Sequence, residues 1–546
     1  MASEGPAPTP SRAAPGGYAK AASSGTRWIT IQGILNKFAT AGAMLIVAQA
    51  LSPQEFGMAS VVMVACGFVM VLPMPVMGDL LITHQHHLAV IAPATRRVTI
   101  WTTVALVLTL IGTAPLIAAW YDQYPFTPVA VLLCLSAIRP IAEAMAVAPL
   151  TRLRLALRYR EIAVINGVVQ LGSAVLTVVW AVLWPGAAAI VMPQVLAVLA
   201  KAIWWGAAAR RIGVHGHDAR RTRVARRPEL ARRVQRRIVR EFGTAALAQY
   251  IHTVLSGLPL IVVSRSCDEN TTGQFGFAFT LANQTTMVLS VQLASVLQPI
   301  FGRLKTDRAR QIGGYMRVVG TMAALAVPAA LLQMALAAPL FELFFPAKWA
   351  PAIPIFVAFS AGQAFGFILA PAVALLKAQG RYGVYFVWQV LQTLLCLALF
   401  PIAVTAWGAE GVAWVDTALW VVTMPTVVWI GTRAARVPMR EVLRLFLTPW
   451  ITAGPIAVAA WLAWREMPGP TVVRAAVAIV VIGPAAMLAS LLAIRVLQPA
   501  VAREIAPMMS RVLRRVPFAG RALAEWFEGA APADIMPTPR SGSAPP

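Results

Sequence analysis

Charge is scarce in this chain: 12% of its 546 residues are Asp, Glu, Lys or Arg, against about 25% in an average soluble domain. With 59% hydrophobic residues and a mean hydropathy of +0.71, a water-soluble globular fold is excluded. Cysteine is as sparse. Cys66, Cys134, Cys267 and Cys396 lie far apart, three of them within apolar runs, so neither a disulfide framework nor a zinc pattern is present. No Walker sequence occurs, which excludes ATP as the direct energy source. The acids Asp122, Asp268, Glu269, Glu342 and Glu410 are scattered among short connections, without the large loop domain a membrane glycosyltransferase needs. The chain therefore reads as no enzyme, with no cofactor. Histidine is dense only at His84, His86 and His87, which read as a polar interfacial loop rather than a metal site.

What the chain has in quantity is long apolar runs. Trp28 to Ile82 holds two of them, folded about Leu51-Ser52-Pro53-Gln54-Glu55-Phe56-Gly57. Each has about 20 mostly apolar residues, enough at about 1.5 Å per residue to cross a hydrocarbon layer. Pro53 disfavours helix at Ser52 and suits the first turn of the next one, so a tight transmembrane hairpin is expected. Hydropathy places about fourteen such spans along the chain. The expected fold is all-α and polytopic, with about fourteen transmembrane helices in two six-helix pseudo-symmetric lobes plus two C-terminal helices.

The implied divisions are a disordered tail over 1–26, a first lobe over 27–208, a basic linker over 209–241 and a second lobe over 242–432. The last two spans follow over 433–498, then an amphipathic and disordered tail over 499–546. Two short repeats support the duplication: Gln54-Glu55-Phe56-Gly57-Met58-Ala59 with Gly273-Gln274-Phe275-Gly276-Phe277-Ala278, and Ala114-Pro115-Leu116 with Ala338-Pro339-Leu340. Their separations, 219 and 224 residues, are nearly equal, as in transporters built from two halves around a central site.

The net charge of +25 does not signal nucleic acid, because the basic residues stand between the spans. Of 46 Lys and Arg, 38 fall in one set of alternate connections and four in the other. That asymmetry puts both termini in the cytoplasm. The segment from Arg210 to Arg240 is read as a basic surface helix on the anionic inner leaflet, and Arg503 to Phe527 as a second.

A few charges remain at membrane depth. An intramembrane cation is functional by default, and Lys37, Arg139 and Lys201 would suit a diphosphate. Arg139 and Glu143 stand one turn apart and can pair. Asp416, the most isolated acid, is with Glu143 the candidate for ion coupling. Interior amides, among them Asn166, Gln170, Asn283, Gln284, Gln363, Gln389 and Gln392, read mainly as interhelical hydrogen-bonding groups that would also tolerate a hydroxylated cargo.

Trp28, Asn36-Lys37 and Ala48-Gln49-Ala50-Leu51-Ser52-Pro53-Gln54-Glu55-Phe56-Gly57-Met58-Ala59 together resemble the opening of bacterial oligosaccharide flippases and polysaccharide exporters. These belong to the multidrug/oligosaccharidyl-lipid/polysaccharide exporter superfamily. Pro149-Leu150-Thr151-Arg152 and Phe345-Pro346-Ala347-Lys348-Trp349-Ala350-Pro351 are similar to later landmarks. The resemblance implies two lobes around a V-shaped cavity in the inner membrane. It also implies alternating access that moves an undecaprenyl-pyrophosphate-linked oligosaccharide, with cavity cations receiving the pyrophosphate. Membrane lipids, a polysaccharide polymerase and export machinery would be partners; nucleic acid would not. The competing readings are a small-molecule antiporter of the same superfamily and a membrane polymerase or ligase.

Overall fold

The computed structural model describes residues 15–70, 77, 81, 88–156, 158–211, 228–284, 301, 307–379, 381–433 and 437–497. Among them every regular element is helical. The His84 cluster, much of the basic linker, the second surface helix and the C-terminal tail lie outside these residues. The chain divides into two compact units, Met1–Gly276 and Phe277–Pro546.

In the first unit the order is α1 (Pro15–Ala50), α2 (Pro53–Met70), α3 (Leu88–Trp120), α4 (Phe126–Ser136) and α5 (Ile138–Leu155). Then come α6 (Tyr159–Leu183), α7 (Ala188–Arg211), α8 (Pro228–Ser266) and α9 (269–284), whose residues from Phe277 on belong to the second unit. The main packing pairs are α1 with α6, α5 with α7, and α6 with α7, and α2 also packs on α8. The second unit holds α10 (Arg308–Ala335), α11 (Ala337–Phe344), α12 (Ala352–Gly366), α13 (Leu369–Ala378), α14 (Tyr382–Thr432), α15 (Met439–Arg465), α16 (Thr471–Val477) and α17 (Gly483–Leu497). Nine helical stretches among the described residues are long and apolar enough to cross a membrane. Their outer faces keep large apolar side chains exposed, such as Trp101 at 72%, Ile451 at 70% and Val480 at 69%. Only a hydrocarbon solvent suits that surface.

α1 begins at Pro15, which suits the first helical turn, and the Ala-rich stretch that follows runs on into the Trp28 span.

Four expected spans are interrupted, and each interruption lies four residues before a proline. α4 ends at Ser136 before Pro140, α10 at Ala335 before Pro339, and α12 at Gly366, with Phe367 before Pro371. Between α16 and α17 the π-helical stretch Ala478–Ile482 contains the carbonyl that Pro484 leaves without a donor. A proline removes the N–H that would close that bond, so the ladder breaks or widens there. Pro149 and Pro193 sit inside helices that stay continuous, so a missing donor is not sufficient alone.

The two spans expected near Tyr382–Thr405 and Gly411–Gly431 run as one 51-residue element, broken in its φ/ψ at Gly408 (φ 65°, ψ −155°). A side chain at that backbone conformation is strained by roughly 1–3 kcal/mol. Gly408→Val is therefore expected to lower thermal stability in detergent, while Gly454→Val, where a β-carbon meets open space, serves as the weaker control.

Arg side chains stack on Trp rings near the ends of several spans. Arg160 lies 5.2 Å from the Trp28 ring and Arg433 5.5 Å from Trp429. By alternation of the spans, Arg265 on Trp120, Arg465 on Trp461 and Arg474 on Trp464 mark the other face, at 5.2–5.6 Å.

Candidate functional site

The sequence-selected charges of the first unit separate into two places. Arg139 and Glu143 are one turn apart on α5, and Lys201 on the facing α7 is within electrostatic reach of Arg139. All three are half-buried. Lys37 stands elsewhere, on α1, whose chief neighbour is α6. It too is half-buried, whereas the adjacent Phe38 is 75% exposed. α1 thus turns its apolar residue outward and its cation inward.

The expected Arg139–Glu143 ion pair is not formed. Ion pairs within 4.0 Å do form at Arg158–Glu161 and Arg465–Glu466, next to each other in sequence or one turn apart. Arg139 instead sends Nη1 toward the thioether of Met63 on α2, at 3.7 Å, while its buried Nε has no partner. A thioether is a weak acceptor. A guanidinium at membrane depth with its fork so poorly met is an exception to the rule that buried polar groups are satisfied. Chemically it is prepared for an anion with two oxygens.

At the face where α2 and α9 begin, the repeated segments come together. Ser52 and Glu55 form a capping box: Ser52 N donates to Glu55 Oε2 at 2.8 Å, and Glu55 N to Ser52 Oγ at 3.3 Å. Asp268 caps α9 by accepting from the backbone of Asn270 at 3.1 Å and of Thr271 at 3.3 Å. Partial burial works to raise the Asp268 carboxyl, but these bonds and that from the Thr271 hydroxyl outweigh it and hold it below the usual carboxylate range. Burial, then the Asp268 charge, push neighbouring Glu269 up.

Between these two caps the helices touch through glycine. A β-carbon at Gly57 would lie 2.5 Å from Tyr124 Oη and 2.9 Å from the Glu269 carbonyl oxygen. One at Gly273 would fall on the Pro53 carbonyl oxygen, and one at Gly276 would lie 2.6 Å from Ser60 Oγ. Small residues at such spacing are how membrane helices bring backbones close. Gln123 Nε2 ties the same face to α8 by donating to Ser264 O at 2.7 Å.

In the second unit Asp416 is held by Trp420, whose Nε1 donates to Oδ2 at 3.1 Å. This partner was readable as an i, i+4 pair and was missed. Gln363 Nε2 donates to Asn283 Oδ1 at 2.6 Å, and Gln333 Nε2 to Ser360 Oγ at 2.8 Å. Gln389 and Gln392, by contrast, are buried. Among the described residues no group of three metal-ligating side chains occurs.

These features define a class: an all-helical, polytopic membrane protein with charges and amides set within its apolar helices. Residues 46–354, more than half of the chain, match the family described as "Polysaccharide biosynthesis protein". The chain belongs to that family. It is 27% identical over 205 residues to the succinoglycan biosynthesis transport protein ExoT of Rhizobium meliloti (strain 1021), covering 36% of this chain and 40% of that relative. The match thus spans well under two thirds of the relative's length.

Among solved structures, the lipid II flippase MurJ in an inward closed conformation superposes with a TM-score of 0.63 at 12% identity, covering 88% of this chain and 99% of that one. An inward-facing MATE family transporter of the MOP superfamily gives 0.51 at 13% identity, over 76% and 99%. At such identities the likeness is one of fold.

Proposed function

We propose that this protein is a flippase that carries an undecaprenyl-pyrophosphate-linked oligosaccharide across the bacterial inner membrane by alternating access. The observation that carries the reading is Arg139: a guanidinium kept inside an apolar bundle with a thioether as its contact and a buried Nε unmet. Charge at membrane depth is expensive and is retained where it binds something. Arg139, with Lys201 beside it and Lys37 on α1, would take the pyrophosphate. Glu143 and Asp416 are the groups we assign to ion coupling. The headgroup could not cross unaided, because stripping water from its charges and hydroxyls would cost many kcal/mol.

Both termini lie in the cytoplasm in this reading, which makes the Ser52–Asp268 face periplasmic. The glycine crossing of α2 and α9 is then the seal that parts when the cavity opens outward. A polysaccharide polymerase and export machinery would take the product. Membership of the polysaccharide biosynthesis family and the flippase fold support this assignment over a small-molecule antiporter.

Deletion of the gene tests it directly. Undecaprenyl-linked repeat units are expected to accumulate on the cytoplasmic leaflet. Normal turnover of those lipids with unchanged surface polysaccharide, or altered resistance to organic cations alone, would defeat it.

A further inference from the structure

A cluster in the second unit has the chemistry of a binding site distinct from the cations. Gln363 on α12 and Asn283 on α9 are joined amide to amide at 2.6 Å, and Asn283 Nδ2 donates onward to Phe279 O at 2.8 Å. One turn after Gln363, Gly366 leaves a gap. A β-carbon there would lie 3.5 Å from Gln363 Oε1 and 3.9 Å from the Trp420 ring. Carboxamide oxygen and indole thus border the same small space. Asp416 accepts the Trp420 Nε1 proton at 3.1 Å and fixes the plane of the ring.

The ordinary role of such amides is to join elements, and buried Gln311, whose Nε2 donates to Phe301 O at 2.6 Å, fits it. Asn283, Gln363, Asp416 and Trp420 differ, because all four are partly rather than fully buried. A carboxylate at Asp416 and the unmet Gln363 Oε1 would be costly against hydrocarbon, so this surface is assigned to water. Gln363 Oε1 has no hydrogen-bond partner among the described residues. The four side chains include no cation, so a phosphate has nothing to bind here. A flat apolar ring beside an open carbonyl acceptor suits a neutral ring with an apolar C–H face and hydroxyl donors at its edge.

We infer that Trp420, Gln363 and Asn283 form a subsite for a neutral sugar ring of the cargo, with Asp416 positioning the indole. This rests on the flippase reading and adds to it a place where the glycan is recognised.

The test uses full-length protein in nanodiscs and equilibrium binding of undecaprenyl pyrophosphate, bare or carrying one glucose, galactose or N-acetylglucosamine. Wild type is expected to prefer at least one sugar-bearing lipid about tenfold, the size of one good contact. Trp420→Leu, Gln363→Leu and Gly366→Val should erase that preference and leave affinity for the bare lipid unchanged. Trp420→Phe should keep most of it. Thermal melts of the variants check that they fold. Variants that retain the preference, or weaken both lipids equally, overturn the subsite. A wild type that binds bare and sugar-bearing lipid alike defeats the subsite alone; one that binds neither defeats the flippase reading with it.

Discussion

Adding one methyl group at Gly273 is expected to cut polysaccharide export by tenfold or more, the largest effect among the glycine substitutions. The new β-carbon would lie 1.7 Å from the Pro53 carbonyl oxygen, well inside contact distance, and 3.1 Å from Gly57 N. Ordinary overpacking costs about 1–3 kcal/mol because neighbouring side chains move aside. Here the obstacle is backbone at a capped helix start, which has nowhere to rotate. The effect should rank by what blocks the methyl. Gly57→Ala meets both a phenol oxygen and a backbone carbonyl, whereas Gly276→Ala meets only Ser60 Oγ and the carbon behind it at 3.0 Å before ordinary contact with Leu260. Pairing Gly276→Ala with Ser60→Ala should restore export. Export assays on the three single variants and the double variant read the order; wild-type export in Gly273→Ala would remove the crossing from the transport cycle.

Arg139→Ala is expected to reduce export by at least tenfold, about 1.4 kcal/mol or more, with protein level unchanged. Its stability signature separates binding from structure. Removing one member of a buried ion pair destabilises strongly, by about 3–5 kcal/mol. Arg139 forms no pair within 4.0 Å among the described residues, so its loss should leave the melting temperature unchanged or raise it. Arg139→Lys should recover part of the export, since it keeps the charge and loses the fork. Lys37→Ala is expected to impair export independently, being on a different helix pair. Wild-type export in both alanine variants would remove Arg139 and Lys37 from the pyrophosphate site.

Much of this fold was legible in the sequence because the bilayer imposes a simple length rule. The tight turn at Ser52-Pro53 and the break between the spans of α14 both follow from local residues. The proline interruptions could have been placed by counting back four residues from Pro140, Pro339, Pro371 and Pro484, but Pro149 and Pro193 show why that count misleads when taken alone.

The site was legible as an inventory of charges and not as geometry. Arg139 and Glu143 satisfy the spacing for a pair, yet the guanidinium turns to Met63 because tertiary neighbours set its rotamer. Likewise the repeated glycines suggested duplication, while their use as a mutual crossing depended on a partner more than 200 residues away. Periodicity describes a helix's own faces; it carries no information about which distant backbone will press against one.

The Arg–Trp stacks, two near one water boundary and three near the other, fasten the helix ends to the headgroup zones. A bundle moored at both surfaces cannot bob to relieve a badly matched lipid layer, so thickness mismatch has to be absorbed by thinning or swelling of the surrounding lipid. For the proposed flippase, working speed is therefore expected to vary with acyl-chain length, which would make lipid composition a governor on how quickly cargo crosses.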